Sequence, residues 1–193
     1  MTSFAILISG KGSNMEAIAE AVASKKLNGR IAFVASDNPG ATGLKRAADL
    51  GLPTAVLPYA EGKKKGEEEL RKLCALHGVE WIVLAGFLSI LSPEFVRSFK
   101  NRIVNIHPSL LPSFPGKHGI VDAWRRGVKI TGVTVHLVDE GVDTGPILAQ
   151  QALKICPGES IESLEERIHR AEHSLYRKTL ALLFSKETIT ERC

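Results

Sequence analysis

Short apolar runs alternate with longer stretches of helical spacing along most of the chain. Residues 4–9 form a nearly continuous apolar run, the pattern of a strand buried on both faces. Similar short runs fall at 31–35, 54–57, 81–85 and 103–106. Between them, 15–23 is alanine-rich with helical spacing, 44–50 predicts a helix closed by Gly51, and 67–77 predicts an amphipathic helix. In that third helix Leu70, Leu73, Cys74 and His77 share one stripe, with His77 a helix-end residue above Gly78. Ser92-Pro93 starts a further helix, serine as cap and proline in the first turn. Crossovers of this length pair strands in parallel, so the pattern predicts an α/β fold with an open, mostly parallel, doubly wound sheet, as one domain.

The second half is less regular. Residues 113–119 are too rich in proline and glycine for regular structure, and 122–126 predicts a short helix. Residues 130–138 alternate as a strand, with Val133, Val135 and Leu137 on one face and Thr134 and His136 on the other. A loop with three carboxylates, 139–146, leads to a last strand over 147–155. Ser160 caps a long helix whose stripe reads Ile161, Leu164, Ile168, Ala171, Leu175 and Leu182. The tail from about 186 to 193 is expected to fray.

In such sheets ligands bind at the carboxyl ends of the strands. Three segments converge on that edge. After the first strand comes Ser9-Gly10-Lys11-Gly12-Ser13-Asn14, then a helix. Glycines admit close backbone approach, helix-start amides point at an anion, and Lys11, Ser13 and Asn14 add charge and donors. The loop follows neither the full phosphate-loop nor the dinucleotide pattern, and a tight turn with a helix cap would look the same. After the fourth strand, Gly86-Phe87-Leu88-Ser89-Ile90-Leu91 is an apolar loop, either packing a neighbour or walling a pocket for a flat aromatic ligand. The fifth strand ends in Asn105-Ile106-His107-Pro108. Residues two apart on a strand share a face, so Asn105 and His107 point together, suited to stabilising an oxyanion and moving a proton. They also fit a turn former beside a polar strand end. A carboxylate of the glycine-bounded turn at Asp139 to Asp143 is placed to orient the imidazole.

The totals narrow the chemistry. A net charge of +4, with no basic run beyond Lys63-Lys64-Lys65, fits anionic small molecules at least as well as nucleic acid. That triplet reads as a solvated loop and helix start. The three cysteines, Cys74, Cys156 and Cys193, are odd in number and widely spaced, which reads as free thiols. No apolar stretch reaches the roughly 20 residues of a membrane span, and no leader precedes the first strand, so a cytoplasmic protein is expected. No metal is expected. The 139–143 carboxylates lack EF-hand spacing, and His169 and His173, one helical turn apart, find no further ligands.

Ile8-Ser9-Gly10-Lys11-Gly12-Ser13-Asn14, Leu84-Ala85-Gly86-Phe87, Asn105 to Pro112 and the 132–146 block, in that order, resemble the phosphoribosylglycinamide formyltransferases. The likeness runs over about 4–184. It implies a Rossmann-like formyltransferase fold and formyl transfer from 10-formyltetrahydrofolate to the amine of glycinamide ribonucleotide in purine synthesis. By this resemblance Asn105, His107 and Asp143 are the catalytic trio. Gly10, Lys11, Gly12, Ser13, Asn14, Pro108 and Glu172 would bind the nucleotide, with Glu172 on the ribose hydroxyls. Phe87, Leu88, Ser89, Ile90, Leu91, Asn105, Val138, Glu140, Gly141 and Asp143 would bind the folate, largely through backbone groups. His118 and His136 match family histidines near the site, in a structural role. Two positions depart from the family: Ser89 stands where an arginine that holds the folate tail is frequent, and His169 where glutamine is frequent. The resemblance implies small-molecule partners only, no nucleic acid or membrane, and a monomer or homodimer. Related formyltransferase chains act on methionyl-tRNA or hydrolyse the formyl folate, but with added domains that this sequence lacks; a non-catalytic folate- or nucleotide-binding protein is the alternative of a different class.

Overall fold

The apolar run near the N-terminus becomes β1 (Thr2–Ile8), in which every residue from Phe4 to Ile8 is fully buried. Burial on both faces explains why the run does not alternate. Phe4, Ile6 and Ile8 enter one core cluster and Ala5 and Leu7 the other, so the strand separates two hydrophobic layers. The computed structural model describes residues 1–185. The elements after β1 are α1 (Ser13–Ala23), β2 (Gly29–Ser36), α2 (Thr42–Asp49), β3 (Thr54–Val56), a 3-10 turn (Tyr59–Glu61) and α3 (Lys63–His77). They are followed by β4 (Trp81–Leu84), α4 (Pro93–Ser98), β5 (Ile103–His107), α5 (Gly119–Arg126), β6 (Ile130–Leu137), β7 (Ile147–Lys154) and α6 (Ile161–Phe184).

The sheet has seven strands in the order β3-β2-β1-β4-β5-β6-β7. The first five pair in parallel, while β6 adds antiparallel to β5 and β7 antiparallel to β6. Chain order runs outward on both sides of the β1–β4 pair. That reversal leaves a crevice beyond the carboxyl ends of β1 and β4, where open α/β sheets take their ligands. The glycine loop after β1 and the apolar loop after β4 flank it.

Several expectations need correction. Helix α3 starts at Lys63, four residues earlier than the apolar stripe suggested: Gly62, at φ 120°, ends the 3-10 turn, and the lysines form the first helical turn. The three lysines are exposed as read, while Glu67 beyond them is buried: its carboxylate accepts from the Ser92 amide at 2.6 Å and from the Ser92 hydroxyl at the start of α4. Helix α5 also begins three residues early, at Gly119. In α6 the stripe holds at Leu164, Ile168 and Ala171, then moves to Tyr176, Leu180 and Phe184, leaving Leu182 exposed. The helix crosses a twisted sheet, so its buried face rotates along its length. Phe184 ends up against Phe4 of β1 and Trp81 of β4. Tyr176 is fully buried, and its hydroxyl donates to the carbonyls of Leu84 at 2.9 Å and Val104 at 3.0 Å. The expected fraying tail and Cys193 lie outside the described residues. Among those residues, no helix is long and apolar enough to cross a membrane.

Candidate active site

Strand β1 ends in a loop shaped by two glycines from different segments. Gly12 sits at φ 76°, and a Cβ there would meet the Gly43 Cα at 2.9 Å. Gly43 in turn donates its amide to the Gly10 carbonyl at 3.0 Å. With Gly12 at the N-cap, no side chain covers the start of α1, so its first amides face the crevice. Asn14 is buried, and its Nδ2 donates to Glu172 Oε2 at 3.2 Å. His169, one turn earlier on α6, donates from Nδ1 to the same oxygen at 2.8 Å. Both donors use Oε2, which leaves Glu172 Oε1 without a protein donor among the described residues. The Glu172 contact raises the His169 pKa above its ordinary value, against burial and the charge of Lys11, with the Glu172 and Glu165 charges adding to it.

At the other end of the crevice, Asn105 and His107 project from the same face of β5, while Val104 and Ile106 enter the opposite core. Antiparallel pairing sets His136 of β6 opposite Asn105, with Asn105 Nδ2 3.2 Å from His136 Nε2. His136 Nδ1 lies 2.9 Å from the Leu137 carbonyl, which can only accept. In its neutral form the ring therefore carries its proton on Nδ1 and accepts from Asn105. His107 is ordered by the same rule. Its Nε2 donates to the Phe114 carbonyl at 2.8 Å, which leaves Nδ1 as the nitrogen that exchanges a proton with the cavity. The 113–119 segment thus closes over the imidazole, and the stretch that leads into it is tied to β6 by Thr134, whose hydroxyl donates to the Ser109 carbonyl at 2.7 Å and accepts from the Leu111 amide at 3.1 Å.

Asp143, on the β6–β7 connection at φ 56°, sits between the two histidines. Its Oδ2 lies 3.4 Å from His107 Nδ1 and its Oδ1 3.5 Å from His136 Nε2; the Gly116 amide donates to Oδ2 at 2.7 Å. Burial pushes this carboxyl up. With His136 protonated, its hydrogen bond from Nε2, the Gly116 amide and the charges of both histidines outweigh burial and hold the pKa below the usual carboxylate value.

The apolar loop after β4 forms the remaining wall. Phe87 packs edge-on against Tyr59, with ring centroids 5.8 Å apart, whereas Leu88 and Ile90 are more than half exposed. Across the opening, Val142 is also about half exposed. Apolar side chains left open around one cavity mark a surface that a flat ligand would cover. The cavity itself, about 460 Å³, runs from the glycine loop past the β5 end to this wall, a volume suited to small molecules. A larger hollow of about 1140 Å³ along α1 and the start of β2 shares only Ser13 with this cavity.

Nearly all the residues singled out from sequence line the cavity: Gly10 to Asn14, Phe87 to Leu91, Asn105, His107, Pro108, Val138, Gly141, Asp143 and Glu172. Glu140 does not. Its carboxylate turns outward and pairs with Arg97 at 2.8 Å. His118 is exposed at the start of α5 and stays outside the lining, whereas His136 is in direct contact with Asn105. The 169/173 histidine pair divides, His169 on the cavity and His173 away from it. Lys117 and Asp139 also line the cavity, as does the Gly116 amide that holds Asp143. A proline- and glycine-rich stretch directly after a polar strand end was the one available signal for Gly116 and Lys117.

Comparison with known proteins agrees with this geometry. The formyl transferase family model matches residues 2–180. A phosphoribosylglycinamide formyltransferase of Bacillus subtilis is 40% identical over 185 residues, covering 95% of each chain. The trifunctional purine biosynthetic protein adenosine-3 of Drosophila pseudoobscura pseudoobscura is 45% identical over 94% of this chain, which spans only 14% of that protein's length. Among solved structures, glycinamide ribonucleotide transformylase 1 of Geobacillus kaustophilus superposes with a TM-score of 0.92 at 45% identity, over 95% of this chain and 98% of its own. A phosphoribosylglycinamide formyltransferase from Bacillus halodurans gives 0.92 at 41% identity over 96% of both chains. By sequence along nearly its whole length and by fold, the chain belongs to the formyl transferase family.

Proposed function

We propose that the chain transfers a formyl group from 10-formyltetrahydrofolate to the primary amine of glycinamide ribonucleotide. The observation that carries this is the placement of Asn105, His107 and Asp143 midway along one cavity, between an anion-binding loop and an open apolar wall. The nucleotide's phosphate fits the α1 amides with Lys11, and its ribose hydroxyls fit the free carboxylate oxygen of Glu172. The folate ring fits between the 87–91 wall and the 138–143 loop, where it covers Leu88, Ile90 and Val142.

The folate supplies the formyl group, and the chain's residues manage charge and protons. As the neutral amine adds to the formyl carbon, a C–N bond forms and the carbonyl oxygen becomes an oxyanion. Asn105 Nδ2 and a protonated His107 Nδ1 are the donors facing it. Asp143 holds the imidazolium and accepts the proton that the new ammonium sheds, through water. Collapse breaks the bond between the formyl carbon and the folate nitrogen, and that nitrogen takes up the proton. The Phe114 carbonyl keeps His107 Nε2 occupied, so both proton exchange and oxyanion contact go through Nδ1.

The test is a spectrophotometric assay of folate deformylation with and without glycinamide ribonucleotide. Turnover that requires the nucleotide and yields its formylated product supports transfer. Formate release without the nucleotide would make the chain a hydrolase, and nucleotide binding without turnover would leave a binding protein.

A further inference from the structure

A carboxylate that none of these steps uses lies behind the apolar wall, where three strand ends meet. Asp37, directly after β2, accepts from two serine hydroxyls. Ser9, at the end of β1, donates to Oδ1 at 2.6 Å, and Ser89, in the loop after β4, donates to Oδ2 at 2.6 Å. Distances this short are those of charge-assisted O–H···O⁻ bonds. Ser9 has one proton, and Asp37 takes it, so the Ser9 oxygen is turned to accept, which it does from the Leu88 amide at 2.8 Å. The relay therefore has one direction: Leu88 N–H to Ser9, Ser9 O–H to Asp37.

The turn after β2 closes without this carboxylate. The Asn38 amide donates to the Ser36 hydroxyl at 3.1 Å, the Gly40 amide to Asn38 Oδ1 at 2.9 Å, and Asn38 Nδ2 to the Ser9 carbonyl at 3.1 Å. Leu88 and Ile90, in contrast, are 54% and 56% exposed, so little packing of their own holds that part of the wall in place. Asp37 itself does not line the cavity.

We propose that Asp37 is the positioning residue of the cavity's apolar wall: through Ser9 and Ser89 it fixes the backbone at Leu88 and Ser89, and so sets affinity for the flat ring the wall covers. The proposal rests on reading that wall as the folate site. It distinguishes a carboxylate from an amide and from an empty position. In Asp37→Asn one side-chain oxygen still accepts from Ser9, while Ser89 rotates to accept from the new N–H, so the relay to Leu88 survives. In Asp37→Ala both hydroxyls lose their acceptor, and in Ser9→Ala the Leu88 amide loses its own.

The experiment compares the wild type with these three variants by titration with a folate lacking the formyl group, by steady-state kinetics in both substrates, and by hydrogen exchange at the Leu88 amide. Asp37→Ala and Ser9→Ala are expected to weaken folate binding and raise the folate KM about tenfold, with nucleotide KM and saturated kcat within about twofold. Leu88 exchange should accelerate at least about tenfold in both, and Asp37→Asn should stay within about threefold of wild type throughout. Unchanged folate affinity in Asp37→Ala would overturn the proposal, as would equal losses in both KM values and kcat, which mark a general structural defect. A wild type that binds the nucleotide but no folate would overturn the folate reading instead; Leu88 exchange would then still decide whether Asp37 holds the wall.

Discussion

Replacing Asp143 by asparagine removes one charge while leaving almost all of the side chain's volume. Its Oδ2 lies 3.4 Å from His107 Nδ1. At an effective dielectric of about 20, Coulomb's law gives about 5 kcal/mol for an imidazolium and a carboxylate at that separation. The cavity is open to water at its mouth, and taking about half of that figure leaves roughly 2.5 kcal/mol, or a factor of about 70 in rate. Hydrogen-bond polarity adds to the loss. The introduced amide keeps its oxygen on the Gly116 amide and His107 Nδ1, which both face Oδ2, and so turns an N–H toward His136 Nε2. That N–H competes with Asn105 Nδ2 for the lone pair of His136 Nε2 and so loosens the second oxyanion donor. Together these effects place the expected loss of kcat at a hundredfold or more, the scale on which single oxyanion donors act. Nucleotide affinity should change little, because the glycine loop and Glu172 make no contact with Asp143. The assay is steady-state formyl transfer under saturating folate, beside a titration with the nucleotide and a thermal melt. A variant that melts and binds like the wild type and retains kcat within about fivefold would refute the charge argument.

Other expectations follow from the same distances. Asn105→Ala removes an oxyanion donor and should lower kcat about a hundredfold with nucleotide KM within about twofold; a change in KM alone would move Asn105 from catalysis to binding. Glu172→Gln keeps an oxygen toward Asn14 Nδ2 and His169 Nδ1 and so puts an N–H in place of the free oxygen that faces the ribose hydroxyls; it should raise nucleotide KM about tenfold or more while leaving folate KM unchanged, which two-substrate kinetics would separate. His169 is raised in the folded state, so its pair with Glu172 stabilises fully below about pH 6.5 and fades as pH rises through the raised value. Half-exposed, it contributes well under about 1 kcal/mol, and the melting difference between wild type and His169→Gln should shrink from about pH 5.5 to about 8.5; a flat difference would remove the pair from the stability account. Tyr176→Phe deletes the buried hydroxyl that donates to β4 and β5 and should cost about 1–2 kcal/mol, seen as a melting point about 2–6 °C lower.

The sheet was legible because its central strands are buried on both faces, and a run such as 4–9 has no other stable use in a chain of this length. Helix positions followed from the same alternation, and the caps Ser92 and Ser160 marked two starts, but starts without a capping side chain did not show. The stripe in α3 begins at Leu70, whereas the helix begins at Lys63, and only the Gly62 backbone marks the change. Face assignments failed where a long element changes neighbours. Leu182 continues the α6 stripe at helical spacing and is nevertheless exposed, since by that point the helix has turned Tyr176, Leu180 and Phe184 to the sheet. Periodicity measures one helix against itself and carries no information about a partner's twist.

For the candidate site the division falls between what a strand dictates and what loops bring together. Asn105 and His107 had to share a face, and the loops after β1 and β4 had to open on the same edge. That Asp143 reaches both His107 and His136 depends on β6 pairing antiparallel to β5, a register no local pattern announces. Asp37 was further out of reach. Inside the run Ser36-Asp37-Asn38-Pro39-Gly40 it reads as one turn former among five, and the turn around it closes without its side chain. What separates it from its neighbours is a pair of serines 28 and 52 residues away, each with one proton to give. A carboxylate that a turn does not need, met by two hydroxyls that both donate, is a polarised junction, and the Leu88 amide shows which way the polarity runs.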